Sequence, residues 1–166
     1  MNKINIFWFR RDLRLNDNTA LSKSLLNNAK TLPIFIYDEN ITNELDKDDA
    51  RISFIYNQLN KIHNSLNKDY NSQLLILKGK PKDIINDLTD KYNIESVFTN
   101  DDYEPYAKKR DEKIESLLNS KGIRFKKFKD HVIFEKDEIT KDDKSPYIVY
   151  TPYMKKWKSA LNINLF

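Results

Sequence analysis

A loop rich in arginine and short polar side chains follows the first apolar segment of the chain. It reads Arg10-Arg11-Asp12-Leu13-Arg14-Leu15-Asn16-Asp17-Asn18. One interpretation is that Arg10, Arg11 and Arg14 pair with nearby carboxylates, while Asn16 or Asp17 caps the helix that follows. The other is that the loop faces a ligand. The residue types alone are compatible with both interpretations.

Several kinds of chemistry lack their residues in this chain. Glycine occurs only at Gly79 and Gly122, and no G-x-G-x-x-G or P-loop motif is present, so a standard dinucleotide or nucleotide-phosphate loop is not expected. Paired histidines, Glu-x-x-His and a serine nucleophile elbow are also missing from the sequence. The pair Asp101-Asp102 would suit Mg²⁺, but carboxylates are also favoured at the start of a helix. We favour the helix interpretation and predict no metal site.

Short apolar segments alternate with helical patterns along the chain. The apolar segments are residues 4–9, 32–37, 73–77, 96–100 and 124–128, and the helical patterns cover residues 18–26, 49–66, 81–92 and 105–118. Pro81 and Pro105 stand where a first helical turn would begin, and Gly122 suits a left-handed C-terminal cap. This alternation predicts a parallel sheet covered on both faces by helices.

Composition and charge indicate an ordinary globular domain. The formal net charge is +4, but lysines are interspersed with Asp, Glu and Asn as on a solvated surface, so the charge does not locate a DNA site. The absence of cysteine suits a reducing compartment. The first apolar run is too short for a signal sequence or a membrane span. We therefore expect a cytoplasmic protein with no membrane partner.

Three motifs occur in a recognisable order. They are Phe7-Trp8-Phe9-Arg10-Arg11-Asp12-Leu13-Arg14-Leu15-Asn16-Asp17-Asn18, then Asn100-Asp101-Asp102-Tyr103-Glu104-Pro105-Tyr106-Ala107, and lastly Pro146-Tyr147-Ile148-Val149-Tyr150-Thr151-Pro152-Tyr153. The first resembles the W-F-R-R-D-L-R-L-x-D-N opening of the DNA photolyase and cryptochrome family. The second, with Arg110-Asp111, is similar to that family's fourth-strand loop. The third, with Lys156-Trp157, is similar to its exit into a second domain.

The resemblance implies the N-terminal antenna domain of that family. Its fold would be a doubly wound five-stranded parallel sheet, Rossmann-like, with strand order 3-2-1-4-5 and helices on both faces. We expect residues 1–130 to form this α/β domain. Residues 131–166 would form a connecting segment, with a helix entered at Pro152, leading toward an absent helical domain that binds FAD and damaged DNA.

The resemblance also implies a light-harvesting function. In the family the antenna pigment passes its excitation to reduced FAD, and the excited flavin donates an electron that splits a cyclobutane pyrimidine dimer. We do not expect the present 166 residues to be catalytic alone. The alternatives are a cryptochrome-type blue-light photosensor and a stand-alone nucleotide-binding α/β domain. Self-association is also expected, through an apolar patch around Tyr147, Tyr150, Tyr153 and Trp157 that the missing domain would cover.

The expected pigment site lies at the carboxyl ends of the strands, where the strand order reverses. Tyr106 and Ala107 stand where folate-binding members carry an Asn-Glu pair, so the loop looks closer to members that hold a deazaflavin or a flavin. A planar pigment needs flat apolar contacts and a few polar anchors. The candidate contacts are Arg10, Arg11, Phe35, Ile36, Tyr37, Asp38, Arg51, Asp102, Tyr103 and Arg110. Each also has a structural alternative, in the core or in an ion pair.

Overall fold

A computed structural model of the chain describes residues 2–26, 29–46, 48–135 and 137–161. The chain divides into two compact units, residues 1–128 and residues 129–166. The elements of the first unit are β1 (Ile4–Phe9), α1 (Thr19–Leu25), β2 (Lys30–Asp38), α2 (Glu39–Thr42), α3 (Ala50–Tyr70), β3 (Leu75–Gly79), α4 (Pro81–Lys91), β4 (Ile94–Asn100), α5 (Pro105–Ser120) and β5 (Arg124–Phe128). No helix within the described ranges is long and apolar enough to cross a bilayer.

The five strands of the first unit form one parallel sheet in the order β3-β2-β1-β4-β5. This confirms the predicted topology. The strand order reverses between β1 and β4, because β2 and β3 extend the sheet on one side of β1 while β4 and β5 extend it on the other. The turns after β1 and β4 therefore meet at the same edge of the sheet, where α/β proteins place their ligands.

The central strand β1 is apolar on both of its faces. Ile6 and Trp8 pack into one core cluster, whose helix residues come from α4 and α5. Phe7 and Phe9 pack into a second cluster, whose helix residues come from α1 and α3. Successive side chains of a strand point to opposite faces, so an unbroken apolar run is what a sheet covered on both sides requires. The predicted helices on both faces are confirmed.

Two helix ends show how the local sequence sets the boundaries. Asn18 caps α1 by accepting a hydrogen bond from the backbone N–H of Leu21, so the predicted cap at Asn16 or Asp17 is wrong. Asp17 adopts φ 50°, which turns the chain so that Asn18 takes the extended cap conformation. Gly122, at φ 70°, ends α5 as predicted.

Two element boundaries differ from the sequence-based expectation. The four-residue helix α2 was not predicted, because it is too short to show apolar periodicity. It starts directly after β2, where the side chain of Asp38 accepts a hydrogen bond from the N–H of Asn40. The last helix, α6 (Tyr150–Ala160), begins two residues before the predicted Pro152. Proline is tolerated within a first helical turn, so it does not mark the first residue strictly.

The second unit has an irregular segment followed by α6. The ring of Phe134 meets that of Trp157 edge to face at 5.4 Å, and Lys129 pairs with Glu138 at 2.8 Å. Of the four aromatic residues expected in an exposed patch, Tyr150 is the most open, with 74% of its surface accessible. Tyr147 and Trp157 are half-buried. Two expectations stay predictions. One is that residues 131–166 connect to a further domain, and the other is that the chain self-associates through this patch.

Candidate functional site

Arg10 closes the crevice between the turns after β1 and β4. Its Nη1 lies 2.8 Å from both carboxylate oxygens of Asp111, and its Nη2 donates to the backbone carbonyl of Asn100. Both side chains are almost fully buried, at 6% and 3% exposure. Burial lowers the pKa of the Arg10 guanidinium from its ordinary value, and the nearby Asp111 carboxylate opposes that shift. For Arg10 the structure therefore shows the ion-pair role.

Arg110 shares the same carboxylate. Its Nε donates to Asp111 at 3.1 Å, and its guanidinium carbon lies 4.9 Å from the centre of the Trp8 ring. The Arg10 guanidinium lies 5.2 Å from the same ring. The Nη2 of Arg110 is buried and lies 3.1 Å from Oδ1 of Asp111, without the alignment of a hydrogen bond. Trp8 and Asp111 thus hold Arg110 in a defined position.

The turn after β4 is organised by Asp102. This carboxylate is 6% exposed and accepts a hydrogen bond from the backbone N–H of Glu104, the residue that precedes α5. Arg11 is largely exposed, and its Nε lies 3.8 Å from Asp102. Tyr103 is exposed. Among the described residues there is no cluster of three or more potential metal ligands. Asp102 acts here as an acidic side chain at a helix start.

The end of β2 places three of the candidates in or beside the core. Phe35 and Ile36 are 6% and 5% exposed and belong to the core clusters on opposite faces of the sheet. Tyr37 packs edge to face on Phe35 at 5.1 Å. Burial raises the pKa of the Tyr37 phenol. Phe35, Ile36 and Tyr37 thus pack in or against the core at the carboxyl end of β2.

Asp38 connects the turn after β2 to α5. One of its oxygens accepts a hydrogen bond from the Tyr106 hydroxyl at 2.6 Å, and Asn40 donates to the same hydroxyl at 3.1 Å. Partial burial, together with the hydrogen bond to Asp38, raises the pKa of Tyr106 to about 12. The phenol is therefore a neutral donor over the physiological range, and it keeps its ring in place beside Arg110, 5.8 Å away.

A cleft of about 790 Å³ lies between α2 and the N-terminal ends of α3, α4 and α5. The residues that line it are Asn40, Ile41, Glu44, Leu45, Arg51, Lys80, Pro81, Lys82, Asp83, Tyr106, Lys109, Arg110 and Lys113. Its volume is in the range of small-molecule and cofactor sites. Because Arg10 and Asp111 fill the crevice at the reversal point, the open space lies beside it, toward β2 and β3.

Two of the predicted contacts, Arg51 and Arg110, line this cleft. Asp38 contacts it through Tyr106. Arg51 is mostly exposed, and its guanidinium pairs with Asp49, the cap of its own helix, at 2.6 Å. The remaining predicted contacts are not among the residues that line the cleft: Arg10, Arg11, Phe35, Ile36, Tyr37, Asp102 and Tyr103.

Sequence reasoning missed Tyr106, the lysines, and the apolar residues Ile41 and Leu45 that line the cleft. One sequence signal was available on α5. Lys109, Arg110 and Lys113 follow Tyr106 by three, four and seven residues, so the four share one side of the helix, while Ala107, Asp111, Ile114 and Leu118 form its buried side. An aromatic and cationic stripe opposite a core stripe indicates a surface that a ligand can use.

Comparison with known proteins gives the family. The protein-family model for DNA photolyase matches residues 5–165. The chain belongs to the DNA photolyase family. Over 154 residues it is 32% identical to the deoxyribodipyrimidine photo-lyase of a Synechococcus species, an alignment that covers 93% of this chain and 32% of that protein. Proteins named cryptochromes also match.

Solved photolyase structures share the fold. An archaeal photolyase from Sulfolobus tokodaii, whose crystal structure contains two FAD molecules and implies a novel light-harvesting cofactor, is 34% identical with a TM-score of 0.72, covering 80% of this chain and 30% of that chain. A class III photolyase from Agrobacterium tumefaciens is 24% identical with a TM-score of 0.86, covering 97% of this chain and 33% of that chain. The chain thus spans about a third of the length of these photolyases.

Proposed function

We propose that this chain is the light-harvesting part of a DNA photolyase and binds a flavin-type pigment in the cleft between α2, α4 and α5. A related photolyase contains two FAD molecules and an implied light-harvesting cofactor. The observation that carries the proposal is a cleft of about 790 Å³ lined by an aromatic ring and a fixed guanidinium, Tyr106 and Arg110.

The residues of the cleft suit a planar, polar pigment. Tyr106 offers a flat ring whose hydroxyl is already engaged by Asp38, and Arg110 offers a guanidinium held in place by Asp111. Ile41 and Leu45 of the α2 region add apolar contact. A ring system can therefore gain stacking and apolar burial while its polar edge is paired. When bound, such a pigment would absorb near-UV or blue light and pass its excitation onward without forming a bond.

Flavins and deazaflavins fit this cleft better than folate. Ala107 is 2% exposed, so it belongs to the core side of α5 and offers no polar group to a ligand. Tyr106 is hydrogen-bonded to Asp38 and Asn40. These are the positions at which folate-binding members carry a polar pair. The proposed contacts of the pigment include Arg51 and Arg110 from the sequence-based set, with Tyr106 and Ile41 added.

For the longer protein we propose light-driven repair of cyclobutane pyrimidine dimers, with FAD and damaged DNA bound outside the present chain. The similarity to deoxyribodipyrimidine photo-lyases supports this proposal. A cryptochrome-type photosensor is the second candidate, supported by the match to proteins of that name. Dimer repair assays on the longer protein separate the two functions.

Thermal melting of the chain with separate additions of FMN, a deazaflavin, methenyltetrahydrofolate and ATP tests the pigment site. A ligand about a hundredfold above its dissociation constant adds about 2.7 kcal/mol to the free energy of unfolding and raises the melting temperature. We expect FMN or the deazaflavin to do so. Stabilisation by ATP alone would contradict the proposal and favour a nucleotide-binding domain.

A cleft-filling variant locates the binding. Ile41→Trp places a large ring in the cleft and is expected to abolish the shift. Ile76→Trp is the matched control, because Ile76 is similarly exposed but lies on β3 away from the cleft lining. An unchanged shift in Ile41→Trp would place the pigment elsewhere.

A further inference from the structure

We propose that a groove between α1 and α3 is a second binding site, for a small apolar molecule that carries one negative charge, such as a medium-chain carboxylate. This α1–α3 groove has a volume of about 530 Å³, within the range of small-molecule sites. It shares no lining residue with the cleft between α2, α4 and α5 among the described residues. The proposal is therefore independent of the pigment site.

Apolar side chains form both walls of the α1–α3 groove. Leu21 and Leu25 lie on α1, and Leu66 and Tyr70 lie on α3. Leu25 is 61% exposed and Tyr70 is 65% exposed, so each side chain leaves much of its apolar surface in water. A ligand between the two helices would remove this surface from water, and such burial is the main source of affinity for an apolar molecule.

The pairing of the strands explains why space remains at this place. The first part of β2 supplies Thr31 and Pro33 to the lining of the groove. Along this part β2 pairs with β1, whereas its pairing with β3 starts only at Ile34. Asn71 and Ser72, which lie between α3 and β3, also line the groove. The late start of β3 thus leaves space beside the first residues of β2.

The charge of the groove selects the class of ligand. Within the described part of the chain, Lys30 is the only charged residue that lines it. The side chain of Lys30 is exposed, and its ammonium group forms no ion pair or hydrogen bond with the described residues. The hydroxyl of Thr31 already donates to the carbonyl of Ser24 at 2.9 Å. An apolar ligand can therefore place one negative group beside Lys30, whereas a positive group would be repelled there.

Equilibrium dialysis of the 166-residue chain against decanoate, decanol and decylammonium, each as a dissolved monomer, tests the class of ligand. We expect decanoate to bind at least about tenfold more tightly than decylammonium, with decanol in between, because only decanoate has a charge opposite to that of Lys30. Octanoate should bind about tenfold more weakly than decanoate, because each buried methylene group strengthens binding about fourfold. Equal affinities for decanoate and decylammonium would overturn the proposal.

Two pairs of matched variants locate the binding. Leu25→Glu removes an apolar contact and adds a negative charge to the groove, so it should weaken decanoate binding at least about tenfold. Leu26→Glu is its control, because Leu26 is 74% exposed and lies outside the groove lining. Lys30→Gln should reduce the affinity for decanoate to that for decanol, whereas Lys23→Gln, on α1 outside the lining, should leave it unchanged. Thermal melting of each variant without ligand checks that the fold is retained.

Three further results would overturn the proposal. One is that decanoate does not bind, and another is an equal loss of decanoate binding in Leu25→Glu and Leu26→Glu. The third is a dimer in size-exclusion chromatography that Leu25→Glu dissociates, because a second copy of the chain would then cover the groove. Each of these results leaves the pigment cleft standing, since that cleft is tested separately by thermal melting with flavins.

Discussion

Asp111 is the carboxylate on which both buried arginines of the site depend. It is 2% exposed, accepts from Arg10 at 2.8 Å and from Arg110 at 3.1 Å, and lies in the second turn of α5. Through these contacts it joins the turn after β1 to the helix after β4. Its removal would leave two buried cations without their ion-pair partner, which is far more costly than the loss of an exposed pair.

Asp111→Asn should lower the free energy of unfolding by about 3–5 kcal/mol, because an uncompensated buried charge remains. Urea unfolding measures this loss. Glu112→Gln removes an exposed carboxylate one residue away and should change stability by less than about 0.5 kcal/mol. Similar free energies of unfolding for the two variants would show that the cluster of Arg10, Arg110 and Asp111 does not depend on the negative charge of Asp111.

The helix α5 serves the fold on one side and the cleft on the other. Its buried side contributes Ile114 and Leu118 to the core, and its opposite side presents the aromatic and cationic stripe that starts at Tyr106. The position of this stripe over the cleft depends on where the helix begins and ends. Pro105 occupies its first position, and Gly122 terminates it, with the N–H of Ile123 bonded to the carbonyl of Leu118 at 2.9 Å.

Gly122→Ala should destabilise the chain by about 1 kcal/mol, because Gly122 adopts φ 70° and a Cβ is disfavoured in the left-handed region. No neighbouring atom lies within 4 Å of a Cβ at this position, so the cost is one of backbone conformation. Gly122→Asn is the comparison variant and should cost less, since asparagine tolerates this conformation. Equal losses of stability for the two variants in urea unfolding would attribute the cost to the added side chain and not to the backbone conformation.

At the scale of the whole molecule, the chain covers the α/β part of proteins about three times its length. The first unit carries the sheet, both core clusters and the cleft. The second unit carries α6, on which Tyr150 is largely exposed. In the proposed function the pigment is held by the first unit, whereas electron transfer to the dimer takes place in a helical domain outside these residues.

The 166 residues alone should show no light-driven dimer repair, whereas a longer protein that includes the helical domain should split dimers under blue light. The measurement is chromatography of a dimer-containing oligonucleotide after illumination, with dark samples as the control. Measurable repair by the 166-residue chain would contradict this division of roles. Absence of repair by the longer protein would favour the photosensor function.

The sequence by itself determined the five strands, the four longer helices of the first unit apart from their exact ends, and their order along the chain. The apolar run Ile6-Phe7-Trp8-Phe9 already required a strand buried on both faces, and Pro81, Pro105 and Gly122 marked helix ends, because periodicity and terminal preferences are local properties of the chain. The strand order was then predicted from the resemblance of the motifs to the photolyase family. The absence of a glycine-rich phosphate-loop motif after β1 was also evident, because glycine occurs only at Gly79 and Gly122.

Only the tertiary structure decided which charged groups meet. Arg10 could have faced a ligand or paired locally, but its partner Asp111 lies 101 residues away on another element. The lysines of α4 and α5 share one cleft because the parallel crossovers bring both helix starts to the same edge of the sheet. Burial and partner choice depend on contacts between distant segments, and a local pattern holds no information about them. For this reason the proposed site lies beside the crevice that the strand order predicts, because Arg10 and Asp111 fill that crevice.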